Sequence, residues 1–204
     1  MGRREDNKRD KRERLLVAGL RSFLEAGYDR TTIEAIAAAA GVARGTFYLY
    51  FPDKLAVFTV LMSRWVDPVG AVLSTVQASV GECDTPAEVR TVYEEMGAAL
   101  AVIGLTNSDP VLVGFRESRQ LGDAGRWLRE VELEFLAGAT RFTEDAARRG
   151  LIRVADPRLA VLVVFGAIER LFYEVLVGTD LGEPDAAAQA VVGLFGTTMG
   201  FGGD

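Results

Sequence analysis

The sequence predicts an all-α protein, with an N-terminal three-helix helix-turn-helix domain followed by a larger helical domain. Apolar residues recur with the 3.6-residue period of a helix along almost the whole chain, and no segment shows the alternation of a strand with any strength. Glycine and proline interrupt this pattern where one helix would end and the next begin. With 204 residues, of which 49% are hydrophobic, the chain can bury a substantial core.

The first two helices are predicted from an apolar face and a capping signal. A helix is expected from about Lys11 to Ala26, with Gly27 as its C-terminal stop. A second helix follows from Thr32 to Ala40. In the predicted capping box, the Thr31 hydroxyl accepts from the amide of Glu34 while the Glu34 side chain reaches back to the start of the helix.

A tight turn and a short third helix complete the predicted motif. Gly41-Val42-Ala43 forms the turn, and the third helix is expected from Arg44 to Tyr50. Phe51-Pro52-Asp53 ends it, because proline cannot donate a backbone hydrogen bond within a helix. A fourth helix is expected from Lys54 to about Trp65, with its end marked by Pro68.

Further helices are predicted across the rest of the chain, separated by breaks rich in glycine and proline. Their approximate ranges are 69–80, 85–104, 109–120, 124–149, 156–177 and 184–200. We place the helix-turn-helix domain, with its N-terminal tail, at residues 1–52 and the second helical domain at residues 53–204.

Two short helices joined by a tight turn form a helix-turn-helix, whose second helix enters the major groove of DNA. Arg44 can donate both hydrogen bonds that a guanine edge accepts, whereas Tyr48, Tyr50 and Lys54 would mainly contact phosphates. The expected DNA-contacting residues are Thr31, Thr32, Arg44, Gly45, Thr46, Tyr48, Tyr50 and Lys54.

Basic residues are concentrated near the N-terminus. Residues 1–60 hold 11 of the 23 basic and 8 of the 29 acidic residues, which leaves a charge balance of +3 there and −9 in the remainder. This distribution is typical of a DNA-binding module joined to another domain, although a solvated, disordered tail gives the same composition. Seven basic side chains lie in the first 14 residues: Arg3, Arg4, Lys8, Arg9, Lys11, Arg12 and Arg14.

The segment from Leu15 to Met62 carries a characteristic set of spaced residues. They are Phe23, Gly27-Tyr28, Thr31-Thr32, Ile36-Ala37, Gly41-Val42, Gly45-Thr46-Phe47-Tyr48 and Phe51-Pro52-Asp53-Lys54. Together they closely resemble the DNA-binding domain of the tetracycline-repressor (TetR) family. Two positions depart from the family pattern: Tyr50 stands where histidine is frequent, and Ala43 stands where serine is frequent. Tyrosine can still donate to a phosphate, but the alanine cannot.

The resemblance implies that the second domain binds a ligand and forms a homodimer through its last two helices. The helix near 156–177 is apolar almost all round, and a second apolar face requires a partner. The helix near 184–200 carries small residues that permit close approach. A dimer suits a palindromic, double-stranded DNA operator. The alternative is that both helices are central in the core of a monomer.

The resemblance also implies a small-molecule effector, largely apolar, bound among the middle helices. The effector would favour a conformer that does not fit the operator, with the helix from Lys54 to Trp65 acting as the lever. Each candidate contact could instead be an ordinary core or surface residue. The candidates are Trp65, Tyr93, Phe115, Arg116, Trp127, Phe135, Glu169 and Tyr173.

Other function classes lack the residues that they need. The chain has no histidine and no nucleotide-binding glycine loop, and Cys83 is its single cysteine. We therefore expect no enzymatic activity, cofactor or metal site. It has no run of about 18 apolar residues and no signal peptide, so we expect a cytoplasmic protein without a membrane partner. An activator or an architectural protein of the same fold stays an alternative to a repressor.

Overall fold

The computed structural model describes residues 3–181, 193 and 195–200 of the chain. These residues are predominantly helical and contain no strand, which confirms the all-α class. Most of the predicted helix near 184–200 lies outside the described residues. The helices are α1 (Arg3–Ala26), α2 (Ile33–Ala39), α3 (Arg44–Phe47), α4 (Lys54–Glu82), α5 (Pro86–Thr106), α6 (Ser108–Glu117), α7 (Asp123–Arg148) and α8 (Pro157–Leu176).

The N-terminal end of α1 differs from the sequence prediction. The helix begins at Arg3 and not at about Lys11, so the charged segment before the apolar face is also helical. Side chains of opposite charge stand at helical spacing there, and Arg9 lies 3.9 Å from Asp6. Such pairs add a little stability to these first turns of α1, which have no apolar face.

The predicted end of the fourth helix at Pro68 is wrong. α4 continues through Pro68 to Glu82 without a break. A proline inside a helix removes one backbone hydrogen bond, and the side chains of Val76 and Val80 beyond it are still buried. The burial of the second half of α4 therefore offsets the missing hydrogen bond.

By length and apolar composition alone, α4 could cross a membrane. The helices α5 and α6 are long and apolar enough only when they are taken together, as a pair bent by 96°. Buried helices of water-soluble proteins meet this criterion too. In α4, the first half contributes Val57, Phe58, Leu61 and Met62 to a buried core.

The chain divides into two compact units. The first comprises Met1–Asp67 with Asn107–Glu130, and the second comprises Pro68–Thr106 with Val131–Asp204. The helix-turn-helix therefore shares its unit with the start of α4, all of α6 and the start of α7. The predicted boundary between a DNA-binding domain at residues 1–52 and a second domain at residues 53–204 stays a prediction.

An aromatic cluster forms the centre of the first unit. The rings of Phe23, Tyr28 and Phe58 lie 5.1 to 5.7 Å apart between centroids, and Trp127 meets Phe58 edge-on at 6.2 Å. Aromatic pairs in these orientations add about 0.5–1.5 kcal/mol beyond their burial. Apolar residues of α6 and α7 join the same core: Val113, Ala124 and Leu128.

The second unit has its own core, with a polar pair inside it. Tyr93 is 2% exposed, and its hydroxyl lies 2.9 Å from the Thr143 hydroxyl. Its ring meets Phe142 edge-on at 5.5 Å and lies 5.3 Å from Phe195. Burial raises the pKa of Tyr93 well above its usual value, so its hydroxyl stays neutral in the core.

Candidate nucleic-acid interface

The start of α2 differs from the predicted capping box. Thr32 is the N-cap residue, because its backbone is extended and its hydroxyl accepts from the Ala35 N–H at 3.1 Å. Thr31 is buried, and its hydroxyl lies 2.7 Å from the Gly27 carbonyl, to which it can donate. The box of Thr31 with Glu34 is therefore wrong. Thr31 supports the loop before α2, whereas Thr32 is exposed and stays a predicted DNA contact.

The turn between α2 and α3 is held by an arginine from α1. Gly41 has a φ of +66°, which glycine adopts without steric cost. The Val42 N–H donates to the Ala37 carbonyl at 3.0 Å. Arg14 Nη2 donates to the carbonyl of Ala40, the C-cap residue of α2, and lies 3.4 Å from the Gly41 carbonyl. Arg14 is thus a positioning residue for the turn, and counting charges in the sequence does not distinguish it from other basic residues.

α3 combines a buried anchor with an accessible face. It ends at Phe47 and not at Tyr50, and Phe47 is fully buried with its ring 5.9 Å from that of Phe51. At Gly45, a Cβ atom would meet no other atom within 4 Å, so a ligand can approach the backbone closely. The predicted contacts on this segment are all exposed or half-buried: Arg44, Gly45, Thr46, Tyr48 and Tyr50.

The guanidinium of Arg44 is engaged by side chains of the helix-turn-helix itself. Its Nη1 lies 2.7 Å from Glu34 Oε1, and the side chain of Tyr48 is close enough to affect its ionisation. The pKa of Arg44 is raised above its usual value, first by the hydrogen bond with Tyr48 and then by the charge of Glu34. The residue that we expect to contact bases therefore has partners within the helix-turn-helix.

Lys54, a predicted phosphate contact, has partners within the fold. Its ammonium donates to the carbonyls of Tyr28 at 2.6 Å and Thr31 at 2.9 Å, and it lies 4.1 Å from the centroid of the Tyr28 ring. Burial lowers the pKa of Lys54, while the nearby carboxylates, Asp29 first, act in the opposite direction. Because its donors are used within the fold, we assign Lys54 to positioning the loop between α1 and α2.

The N-terminal turns of α1 extend the basic character of this unit. Arg12 lies over the ring of Phe51, 5.3 Å from its centroid, which brings this part of α1 beside the segment that follows α3. Lys8 and Arg9 precede it by about one turn and are exposed. Basic side chains, interspersed with acidic ones, therefore continue along α1 from the helix-turn-helix.

Comparisons with known proteins agree with this geometry. Residues 15–61 match the family described as bacterial regulatory proteins, tetR family. The transcriptional repressor BepR of Brucella suis biovar 1 is 28% identical over 144 residues, which cover 68% of this chain and 67% of BepR. Residues 15–61 therefore form a DNA-binding domain of the tetR type.

Solved structures of two repressors share the fold along most of the chain. NalD, the secondary repressor of the MexAB-OprM multidrug efflux pump in Pseudomonas aeruginosa, has a TM-score of 0.69 at 22% identity, covering 93% of this chain and 96% of its own. FadR of Thermus thermophilus, a repressor solved with lauroyl-CoA, has a TM-score of 0.60 at 22% identity, covering 92% and 94%. At this identity the likeness concerns the fold.

α6 is attached directly to the loop and helix that lead into the helix-turn-helix. Glu117 Oε1 accepts from the Tyr28 N–H at 3.0 Å, and Arg116 Nη1 donates to the Leu24 carbonyl at 3.1 Å. Arg116, a predicted effector contact, is thus engaged at the C-terminal end of α1. No sequence signal singles out Glu117, because a single carboxylate on an amphipathic helix resembles any solvated side chain.

The other predicted effector contacts are divided between the two units. Trp65 and Trp127 pack against the core of the first unit, and Phe115 there is half-buried. In the second unit, the Tyr93 hydroxyl is paired inside the core, and Tyr173 lies under the guanidinium of Arg170 at 5.5 Å. Two further candidates of the second unit are half-buried: Phe135 and Glu169. Their role in binding an effector stays a prediction.

Proposed function

We propose that the protein is a homodimeric repressor that binds a palindromic operator and is released from it by a small, largely apolar effector. It acts in the cytoplasm and has no enzymatic activity, cofactor or membrane partner. The observation that carries the proposal is the accessible face of α3, with Arg44 at its first position. A guanidinium there can form the paired hydrogen bonds by which proteins most often read guanine.

An exposed apolar face of α8 supports the homodimer. Leu159, Leu162 and Val163 are 56%, 52% and 46% exposed, and Gly166 continues the same face. Their spacing places them on one side of the helix, while the opposite side is buried within its own unit. A second copy would remove this apolar surface from water and pair two helix-turn-helix motifs for two operator half-sites.

The dimer is tested by placing a charge on that face. We expect Leu162→Glu to convert the protein to a monomer in size-exclusion chromatography with light scattering, because an unpaired carboxylate is costly to bury in an apolar interface. Val17→Glu is the matched control, since Val17 is 59% exposed on α1. A Leu162→Glu protein that keeps its helical circular dichroism and remains a dimer would contradict this interface.

The effector class is proposed from the apolar character of the second unit and from the relatives. FadR is bound to lauroyl-CoA, so acyl-CoA thioesters and free fatty acids are the first probes. An effector must bind more tightly to the free conformer than to the operator-bound one, because equal affinity for both shifts no population. Ligands that raise the unfolding temperature but leave the operator complex intact would argue against release as the mechanism.

DNA binding itself is tested by an electrophoretic mobility shift with the upstream intergenic DNA, across a salt series. We expect a complex that weakens steeply with salt, and an Arg44→Ala variant that loses sequence preference. If no complex forms, selection from random-sequence DNA follows. Failure of both experiments would overturn the proposed function.

A further inference from the structure

Glu34 and Arg44 form an isolated charge pair in the helix-turn-helix. Residues 31–52 contain one acidic residue, Glu34, and one basic residue, Arg44. Their side chains are 53% and 62% exposed, yet Glu34 Oε1 lies 2.7 Å from Arg44 Nη1. Thr32 caps α2, and Glu34 lies in the first turn of that helix. The Glu34 carboxylate is therefore paired with Arg44, the arginine that we expect to contact bases.

A carboxylate at this position would oppose DNA binding unless it is neutralised. An ionised carboxylate only accepts hydrogen bonds. Phosphate oxygens and most base-edge atoms in the major groove are also acceptors, and the exceptions are the amino groups of cytosine and adenine. Glu34 is therefore repelled by most of the groups that a DNA duplex offers near α3.

Arginine can satisfy both partners at once. A guanidinium has five N–H donors, of which a guanine edge uses two. On a duplex that offers guanine, Arg44 contacts the base and keeps a donor for Glu34. On a duplex without guanine at that position, Arg44 gains no paired base contact that would offset the repulsion of the Glu34 carboxylate by the phosphates.

We infer that Glu34 is a specificity-determining residue, which holds Arg44 in one orientation and penalises DNA that offers Arg44 no guanine. The inference rests on the proposed function, in which α3 enters the major groove. Specificity is a difference between two affinities, so weaker binding to unmatched DNA raises it. In this inference, the Glu34 side chain on α2 weakens binding to unmatched DNA.

The test uses Glu34→Gln with Glu25→Gln as its matched control. Glu25 also forms an exposed pair with an arginine, at 2.8 Å from Arg21, but on α1. Both variants remove one negative charge, so a general electrostatic effect is the same in both. A preferred site is first selected from random-sequence DNA with the unsubstituted full-length protein, and affinities are then measured for that site and for a scrambled duplex of equal length.

We expect Glu34→Gln to bind the scrambled duplex more tightly and to lower the ratio of the two affinities by at least about fivefold, the lower end of what one bidentate base contact discriminates. Glu25→Gln should leave the ratio unchanged. In an Arg44→Ala background, adding Glu34→Gln should not change the ratio further. Thermal unfolding of each variant separates a loss of fold from a loss of discrimination.

Two outcomes separate this inference from the proposed function. If the unsubstituted protein selects no DNA sequence, the proposed function fails and the inference fails with it. If a site is selected and Glu34→Gln has the same affinity ratio as Glu25→Gln, the role of Glu34 is overturned while the repressor proposal stands.

Discussion

The carboxylate of Glu117 accepts a hydrogen bond from the backbone N–H of Tyr28 at 3.0 Å, across 89 residues of sequence. Glu117 is the last residue of α6 and is 7% exposed, and Tyr28 lies in the loop between α1 and α2. A buried N–H without a partner is costly. The bond therefore fastens α6 to the loop that precedes the helix-turn-helix.

Replacing Glu117 tests this attachment. We expect Glu117→Ala to lower the free energy of unfolding by about 1–3 kcal/mol, because it leaves the buried Tyr28 N–H without an acceptor. Glu117→Gln keeps a carbonyl oxygen and should lower it less. The measurement is urea denaturation followed by circular dichroism, with the exposed Glu130→Ala as control. Equal urea midpoints for Glu117→Ala and the control would show that the bond adds no stability.

Lys54 should affect stability more than the electrostatics of DNA binding. Lys54→Met removes the ammonium that donates to the Tyr28 and Thr31 carbonyls, so we expect about 1–3 kcal/mol less stability. The dependence of DNA affinity on salt should keep the slope of the unsubstituted protein, since the Lys54 ammonium already donates to backbone carbonyls of the fold. A slope that falls by the amount expected for one phosphate would restore Lys54 to the DNA interface.

Stability should fall in alkaline solution because of Tyr28. Burial first, and then the charges of nearby carboxylates led by Asp123, raise the pKa of Tyr28 to about 12. An unfolded tyrosine titrates near pH 10. Since the folded state then holds its proton more tightly, the stabilisation is complete below about pH 10 and is lost as the pH rises towards 12. The Tyr28→Phe variant should lose less stability than the unsubstituted protein between pH 9 and 11, and parallel losses would contradict this assignment.

The N-terminal turns of α1 should add affinity without adding specificity. Lys8→Ala and Arg9→Ala remove exposed basic charges on α1. We expect each to weaken binding equally for the selected and scrambled duplexes, and to reduce the salt slope by about 0.9 for each phosphate that the protein no longer neutralises. Arg21→Ala, further along α1, is the control for a general change in charge. An unchanged slope in both variants would show that these turns do not bind phosphate.

Periodicity and local signals predict most of the fold, because they depend on neighbours in sequence. The helices α5 to α8 begin and end close to their predicted places, where glycine and proline interrupt the apolar pattern. Pro68 is the exception, since the burial that carries α4 past it comes from long-range packing. Local spacing also favours a capping box for Glu34, whereas the folded chain pairs it with Arg44.

The sequence predicts the candidate site in outline only. The residue types on α3 identify a DNA-binding face, but the partners that position this face come from distant parts of the chain. Arg14 and Lys54 both resemble other basic residues near DNA, yet their donors are satisfied by backbone carbonyls of a turn and a loop. Sequence patterns do not reveal such assignments, because each requires the relative position of two helices.

The core of the first unit limits which fragments and chimaeras of this protein can fold. Val113, Ala124 and Leu128 fill the same core as the helix-turn-helix, although they come from a segment that follows α5. A fragment ending at Asp67 would expose the apolar surface that these residues cover. A chimaera that joins this DNA-binding unit to another ligand-binding domain must therefore include residues 107–130. Exchange of the N-terminal segment alone during evolution would give a hybrid that folds poorly.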